Sequence, residues 1–160
     1  MIEETEMTDS AMALTFSLDG ETFAIPVEHV SEIIDPLPVT RAPNADPFAP
    51  GLINVRGVIA PYLDLRQRLG MPPAEMSETG RIIVFKLKIE GEATTVAMLA
   101  DDVDDITETA MADIETVPEL GTRWPPDLIR GVSKKDGALL ILLDVETAFS
   151  PIQSNLSTNA

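Results

Sequence analysis

Gly51-Leu52-Ile53-Asn54-Val55-Arg56-Gly57-Val58-Ile59-Ala60-Pro61-Tyr62-Leu63-Asp64-Leu65 reads as two strands with a bend near Arg56-Gly57. Both arms are rich in aliphatic and β-branched residues, which suit a pleated, partly buried surface. Arg66-Gln67-Arg68-Leu69-Gly70 follows and predicts a short helical turn capped by glycine. Upstream, residues 36–50 carry five prolines, at positions 36, 38, 43, 47 and 50. Proline fixes φ and donates no amide, so this stretch is expected to be stiff, extended and without a regular ladder.

Further upstream, Leu14-Thr15-Phe16-Ser17-Leu18 alternates apolar and polar, as a half-buried strand does. Asp19-Gly20 signals a hairpin turn, Phe23-Ala24-Ile25 the return strand, and Pro26 its end. Val27, Val30, Ile33 and Ile34 then fall at helical spacing, predicting one or two helical turns stopped by Asp35-Pro36. The second half repeats these pieces in order. Ile83–Leu87 and Thr95–Leu99 form another hairpin. Val103-Asp104-Asp105-Ile106 echoes Val30-Ser31-Glu32-Ile33. Leu128–Val132 echoes Asn54–Val58, and Leu142-Leu143-Asp144-Val145 echoes Tyr62-Leu63-Asp64-Leu65. The offset is about 70–80 residues, and the ordered series implies two similar β-rich lobes. The expected fold is all-β with short helices: two SH3-like five-stranded β-barrels packed around a shared hydrophobic core. One such lobe is barely large enough to stand alone. The expected layout is an acidic tail over 1–11, a domain over 12–150 with lobes near 12–75 and 80–150, strands exchanged at their boundary, and a flexible tail over 151–160.

The chain has 160 residues, 44% of them hydrophobic, no cysteine, one histidine and a formal net charge of -16. Such acidity repels phosphate backbones and anionic lipid, so nucleic acid and bare membrane surfaces are poor partners, and without a long apolar run direct membrane insertion is not expected. Without cysteine there are no disulfides, thiolate sites or cysteine nucleophiles. The acidic start is unlike a signal peptide, and the longest apolar run, residues 138–143, has strand length. These features fit the cytoplasm. His29 lacks companions for a zinc site or a catalytic triad, and is expected on a surface or rim. No phosphate-binding glycine loop and no Gly-x-Ser-x-Gly elbow is present. The run Asp101-Asp102-Val103-Asp104-Asp105 lacks the glycine and the twelfth-position glutamate of a calcium loop and reads as a solvated helical turn. A small hydrolase using carboxylates such as Asp64 and Asp144 is the alternative from another class, but both lie at repeat-equivalent strand ends and read as turn formers. Glu32 and Arg56 are each flanked by apolar residues, which favours an ion pair, structural or shaping a partner surface.

Pro43-Asn44-Ala45 through Gly51–Arg66 resembles the signature of CheW-like domains, of the form P-N-x-P…G-x-x-N-L-R-G-x-I-x-P-V-x-D-L-R. Ile25-Pro26-Val27-x-x-Val30-x-Glu32-Ile33 and the ending from Ile129-Arg130-Gly131-Val132 to Asp144-Val145-Glu146 resemble the same family, so the likeness spans about residues 12–150. The resemblance implies an adaptor of bacterial chemotaxis and two-component signalling, without catalysis or cofactor. It implies two partners: the cytoplasmic hairpin tip of methyl-accepting chemoreceptors, in a groove between the lobes, and the regulatory domain of the histidine kinase CheA.

Carried residue by residue, the resemblance places Val30, Gly51 and Gly57 at or near the receptor contact and Ile59 near the kinase. Glu32 and Arg56 match the family's paired glutamate and arginine. Ile33 and Val58 join the receptor set by apolar spacing. Val55 stands where leucine is usual, and Tyr62 where an aliphatic residue is commoner. The high negative charge would tune which receptor or kinase is accepted. An adaptor of a twitching or developmental pathway is the alternative within the same fold.

Overall fold

Alternation along β1 (Ser10–Leu18) sends Leu14, Phe16 and Leu18 to one side and Ala13 and Thr15 to the other, and all five are buried. The strand is therefore covered on both faces, not half-buried as its apolar-polar alternation suggested. One face meets the second lobe, and the other lines a barrel interior narrow enough to take alanine and threonine. A computed structural model describes residues 10–72, 78–89, 91–110, 126–135 and 137–149. The expected tails fall outside these residues, except that Ser10 and Ala11 belong to β1.

After β1 come β2 (Glu21–Pro26), a 3-10 turn (Val27–His29), β3 (Val30–Ile34), β4 (Thr40–Arg41), β5 (Gly51–Val55), β6 (Val58–Leu63) and helix α1 (Leu65–Leu69). The second half supplies β7 (Arg81–Ile89), β8 (Glu92–Ala100), β9 (Asp102–Ala110), a 3-10 turn (Pro126–Leu128), β10 (Ile129–Lys135), β11 (Ala138–Leu143) and helix α2 (Val145–Ala148). Gly70, in the left-handed conformation, ends α1, and its amide and the next one bond back into the helix.

The two sheets run β10-β11-β2-β1-β9 and β3-β7-β8-β6-β5-β4. Each combines the hairpin of one half with strands of the other, three in the first sheet and four in the second, joined by a short parallel contact: β11 with β2, and β6 with β8. The sheets are related by the repeat. Tyr62 faces Ala97 as Leu142 faces Ala24. The Asp64 amide donates to the Phe48 carbonyl at 2.6 Å, as the Asp144 amide does to Leu128 at 2.9 Å.

Four further expectations change. Val27–His29 is a helical turn, but Val30–Ile34 is a strand paired with β7. Asp102–Ala110 is likewise a strand, paired with β1, and not a helical turn. In both, ladder pairing beside the core overrides local signals. Thr40 and Arg41 also form a short ladder with Leu52 and Gly51 inside the proline-rich connection. One repeat match shifts register. Gly131 stands opposite Leu142 as Gly51 stands opposite Tyr62, so Arg130-Gly131 corresponds to Pro50-Gly51, not to Arg56-Gly57. The counterpart of the Val55–Val58 closure is Lys135–Ala138.

The main core lies between the sheets, with Phe16, Phe23, Ile25 and Ile141 from one and Leu63, Ile83, Phe85 and Met98 from the other. Ile53, Val55, Ala60, Ile82, Val84 and Ala97 fill the second barrel. Arg68 on α1 crosses the join: it lies 4.6 Å over the Phe48 ring and donates to the Thr147 carbonyl at 2.9 Å. Burial lowers its pKa from the usual arginine value, with Asp46 and Asp127 opposing.

Asp101 is the polar counterpart of that core. It sits where the chain leaves β8 in one sheet and enters β9 in the other. Its amide donates to the Ser17 carbonyl at 2.9 Å, and its carboxylate accepts from the Asp19 amide at 2.9 Å and from Arg66. Asp101→Ala would strand a largely buried guanidinium and the Asp19 amide, while the backbone contact to Ser17 stays. It is expected to lower unfolding free energy by about 2–4 kcal/mol in urea denaturation, with the slope unchanged.

Candidate functional site

Val55 and Val58 face each other across a two-residue turn in which Arg56 has φ 54° and Gly57 φ 90°. Positive φ at both positions matches the twist of the strands and is easy for glycine. For arginine it costs about 1–2 kcal/mol. The Asn54 Oδ1 accepts the Gly57 amide at 2.7 Å and stiffens the turn. Arg56, held there, reaches Glu32 on β3 with Nη2 to Oε1 at 3.1 Å. β3 is one edge of its sheet, and the β5–β6 hairpin lies near the other, so this pair spans the curl of the barrel. The Arg56 side chain is 77% exposed and that of Glu32 29% exposed, so the pair itself contributes about 0.2–1 kcal/mol. A strained, exposed arginine is not explained by stability alone.

A bulge in β3 sorts the other residues. Val30 pairs with Phe85 and Ile33 with Ile83, both in the shared core, whereas Glu32 pairs with Val84 in the barrel interior. Val30 and Ile33 therefore share the face beside the main core, and Ile33 remains 41% exposed. Val58 lies on the other face, the one that carries Ala60 and Tyr62 inward, at the barrel mouth with Glu32 and Arg56. The five expected receptor-side and ion-pair residues other than glycine thus fall into two groups, not one: Val30 and Ile33 in one, Glu32, Arg56 and Val58 in the other. Ile59 points outward from β6, opposite Asn54 and diagonal to Leu52, and is 60% exposed. Gly51 is buried: a Cβ there would stand 2.4 Å from the Thr40 carbonyl oxygen, so this glycine allows β4 to lie close against β5.

Residues missed in the sequence lie on the equivalent edge. β9 carries the same bulge: Phe16 faces Val103 and Leu14 faces Ile106, with Asp105 at the register position of Glu32. Ile106 is 47% exposed beside Leu14 of the main core, and Met12 is exposed two residues along the same face of β1. The echo of Val30–Ile33 in Val103–Ile106 was the available signal. Leu139, the repeat mate of Ile59, is also exposed. Asp144 caps α2, accepting from the Thr147 amide at 3.2 Å, whereas Asp64 at the equivalent position makes no such cap bond. Among the described residues no group of three or more His, Asp or Glu is placed to hold a metal. No helix among them is long and apolar enough to cross a membrane.

Two exchanged barrels with apolar side chains exposed along the edges of a shared core define a protein-binding scaffold. The CheW-like domain model matches residues 12–153, and the chain belongs to that family. It is 32% identical over 141 residues to the chemotaxis protein CheW of Bacillus subtilis strain 168, covering 87% of this chain and 86% of that one. It is 30% identical over 151 residues to the chemotaxis protein CheW of Rhizobium meliloti strain 1021, covering 89% and 95%. The crystal structure of the scaffolding protein TtCheW from Thermoanaerobacter tengcongensis superposes with a TM-score of 0.76 at 26% identity, covering 88% of each chain. The protein is a chemotaxis adaptor of the scaffold type.

The Arg56-Gly57 turn gives a direct check on the reading of strain. Arg56→Asn keeps a residue that tolerates positive φ and loses the ion pair, so its melting free energy should match wild type within about 1 kcal/mol. Gly57→Val places a β-branched residue at φ 90° and should cost about 1–3 kcal/mol in the same calorimetric measurement.

Proposed function

We propose that this adaptor holds a receptor hairpin and a kinase regulatory domain at the same time, and acts by binding and not by turnover. The observation that carries the reading is the placement of Val30 and Ile33 on β3, and Ile106 on β9, at the edges of the shared core. Exposed isoleucines beside a continuous apolar core suit an amphipathic helix laid into a groove, with its own apolar residues completing the surface. The receptor tip is the helical partner that the family resemblance implies. Docking it here would bring the adaptor to the cytoplasmic face of the membrane through the receptor, with no insertion of its own.

Ile59 and Leu52, exposed on the outer face of the β5–β6 hairpin, support a separate kinase contact. Glu32 and Arg56 stand between the two surfaces. In this reading the pair fixes the hairpin tip relative to β3, and so sets how one partner is presented to the other. Gly51 and Gly57 act through backbone geometry, by close approach and by positive φ respectively. Coupling then follows if the kinase has states that the adaptor binds unequally.

Co-sedimentation with a receptor hairpin fragment and with a CheA regulatory domain, each alone and both together, tests the proposal. Ile33→Glu and Ile106→Glu should each weaken receptor capture at least tenfold and leave kinase capture intact. Ile59→Glu should do the reverse. Arg56→Asn should lower recovery of the ternary complex while the chain stays folded. Wild-type capture of both partners by all four variants would remove these surfaces from the function.

A further inference from the structure

The repeat makes two equivalent pockets, one at the start of each helix, and their charged residues have diverged. In the second, Asp144, which caps α2, stands with Glu146 and Arg130. In the first, the positions matching Leu142, Asp144 and Glu146 hold Tyr62, Asp64 and Arg66, joined by Arg41 from β4 over walls that include Pro47 and Leu99. The fold is thus built with glutamate at one of these positions and arginine at the other, so it does not itself require Arg66.

Arg66 is short of an acceptor. Its side chain is 11% exposed, and Nη2 is paired with Asp101. Its Nη1 is buried with no hydrogen-bond partner. Leaving a guanidinium donor in that condition is costly, and an oxygen acceptor would remove the cost. Arg41, exposed at the rim, makes no ion pair among the described residues. Asp64, Arg41 and Arg66 all lie close enough to act on the Tyr62 phenol, whose pKa burial raises most, with Asp64 adding to the rise and the arginines opposing it. Two cations and a phenol, gathered in one pocket of a chain with net charge -16, are not explained by surface solubility.

We propose that the Arg41–Tyr62–Arg66 pocket binds a single oxyanion, a carboxylate or a phosphate group, with Arg41 as the exposed donor and Arg66, whose Nη1 is closed to solvent, joining it by a turn of its guanidinium. Asp64 on the same wall opposes a large charge, so the site takes one small anionic group and holds it weakly, in the millimolar range. A carboxylate would come from an acidic side chain of a bound partner, and a phosphate from the free ion.

Tyr62 is the one tyrosine of the chain, so selective ¹³C-tyrosine labelling gives a single probe in the pocket. The labelled protein would be titrated with sodium phosphate and, separately, with sodium acetate at constant ionic strength. Saturable Tyr62 shifts are expected in wild type, weakened at least fivefold in Arg41→Gln and unchanged in Arg130→Gln of the equivalent pocket. Saturation by phosphate alone identifies the free ion, and saturation by acetate identifies carboxylate chemistry. Arg66→Gln, if folded by circular dichroism, should abolish saturation, and Arg41→Gln keeps the test decisive if it is not. No saturable shift with either probe, or shifts indifferent to Arg41→Gln, would overturn the proposal.

Discussion

Two short parallel contacts, β2 with β11 and β6 with β8, carry the architecture. Each joins strands far apart in the chain, and each completes a sheet that one half alone cannot make. Because the hairpin β1–β2 needs β9 to β11, and β7–β8 needs β3 to β6, neither lobe has a core before the other half arrives. The apolar layer between the sheets follows from this exchange: Phe16, Phe23 and Phe85 are all fully buried in it. Asp101 and Arg68 add the polar links at the same join, one at the crossover of the chain and one between the helices. A small barrel cannot bury enough surface by itself, so sharing strands is a physical answer to size.

The same exchange creates the surfaces. β3 and β9 are the strands that cross from one sheet to the other, and each ends at a sheet edge beside the shared core. A bulge in each rotates two apolar residues to the core side while the acidic residue between them takes the opposite register position. An apolar edge therefore occurs twice, once from each half. The β5–β6 hairpin differs: its tip adopts a conformation that costs energy for arginine, and an exposed ion pair returns only part of it. Strain of that kind is retained where geometry matters more than stability.

Repetition also separates what the fold requires from what has been added to it. Asp64 and Asp144 both sit at helix starts and both donate their amides to the preceding connection, so that element belongs to the architecture. Arg66 and Glu146, at matching positions, belong to the individual lobes. A duplicated structure thus contains its own control, and differences between equivalent positions point to chemistry beyond folding.

The hairpins, the turn at Arg56-Gly57, the glycine end of α1 and the duplication were all legible in the sequence. They depend on local conformational preference and on a repeating order of short elements. The Glu32–Arg56 pairing was legible from two charges in apolar settings and from the family pattern. What the sequence could not supply was which strand pairs with which. Residues 30–34 and 102–110 carry mixed periods and acidic residues, and only the ladders with β7 and β1 make them strands. The split of Val30 and Ile33 from Val58, the burial of Gly51, and the pocket around Arg66 likewise come from register. Local propensity acts over a few neighbours, whereas register is fixed by packing between residues as far apart in the chain as Phe23 and Ile141. One step of slip moves every side chain to the other face.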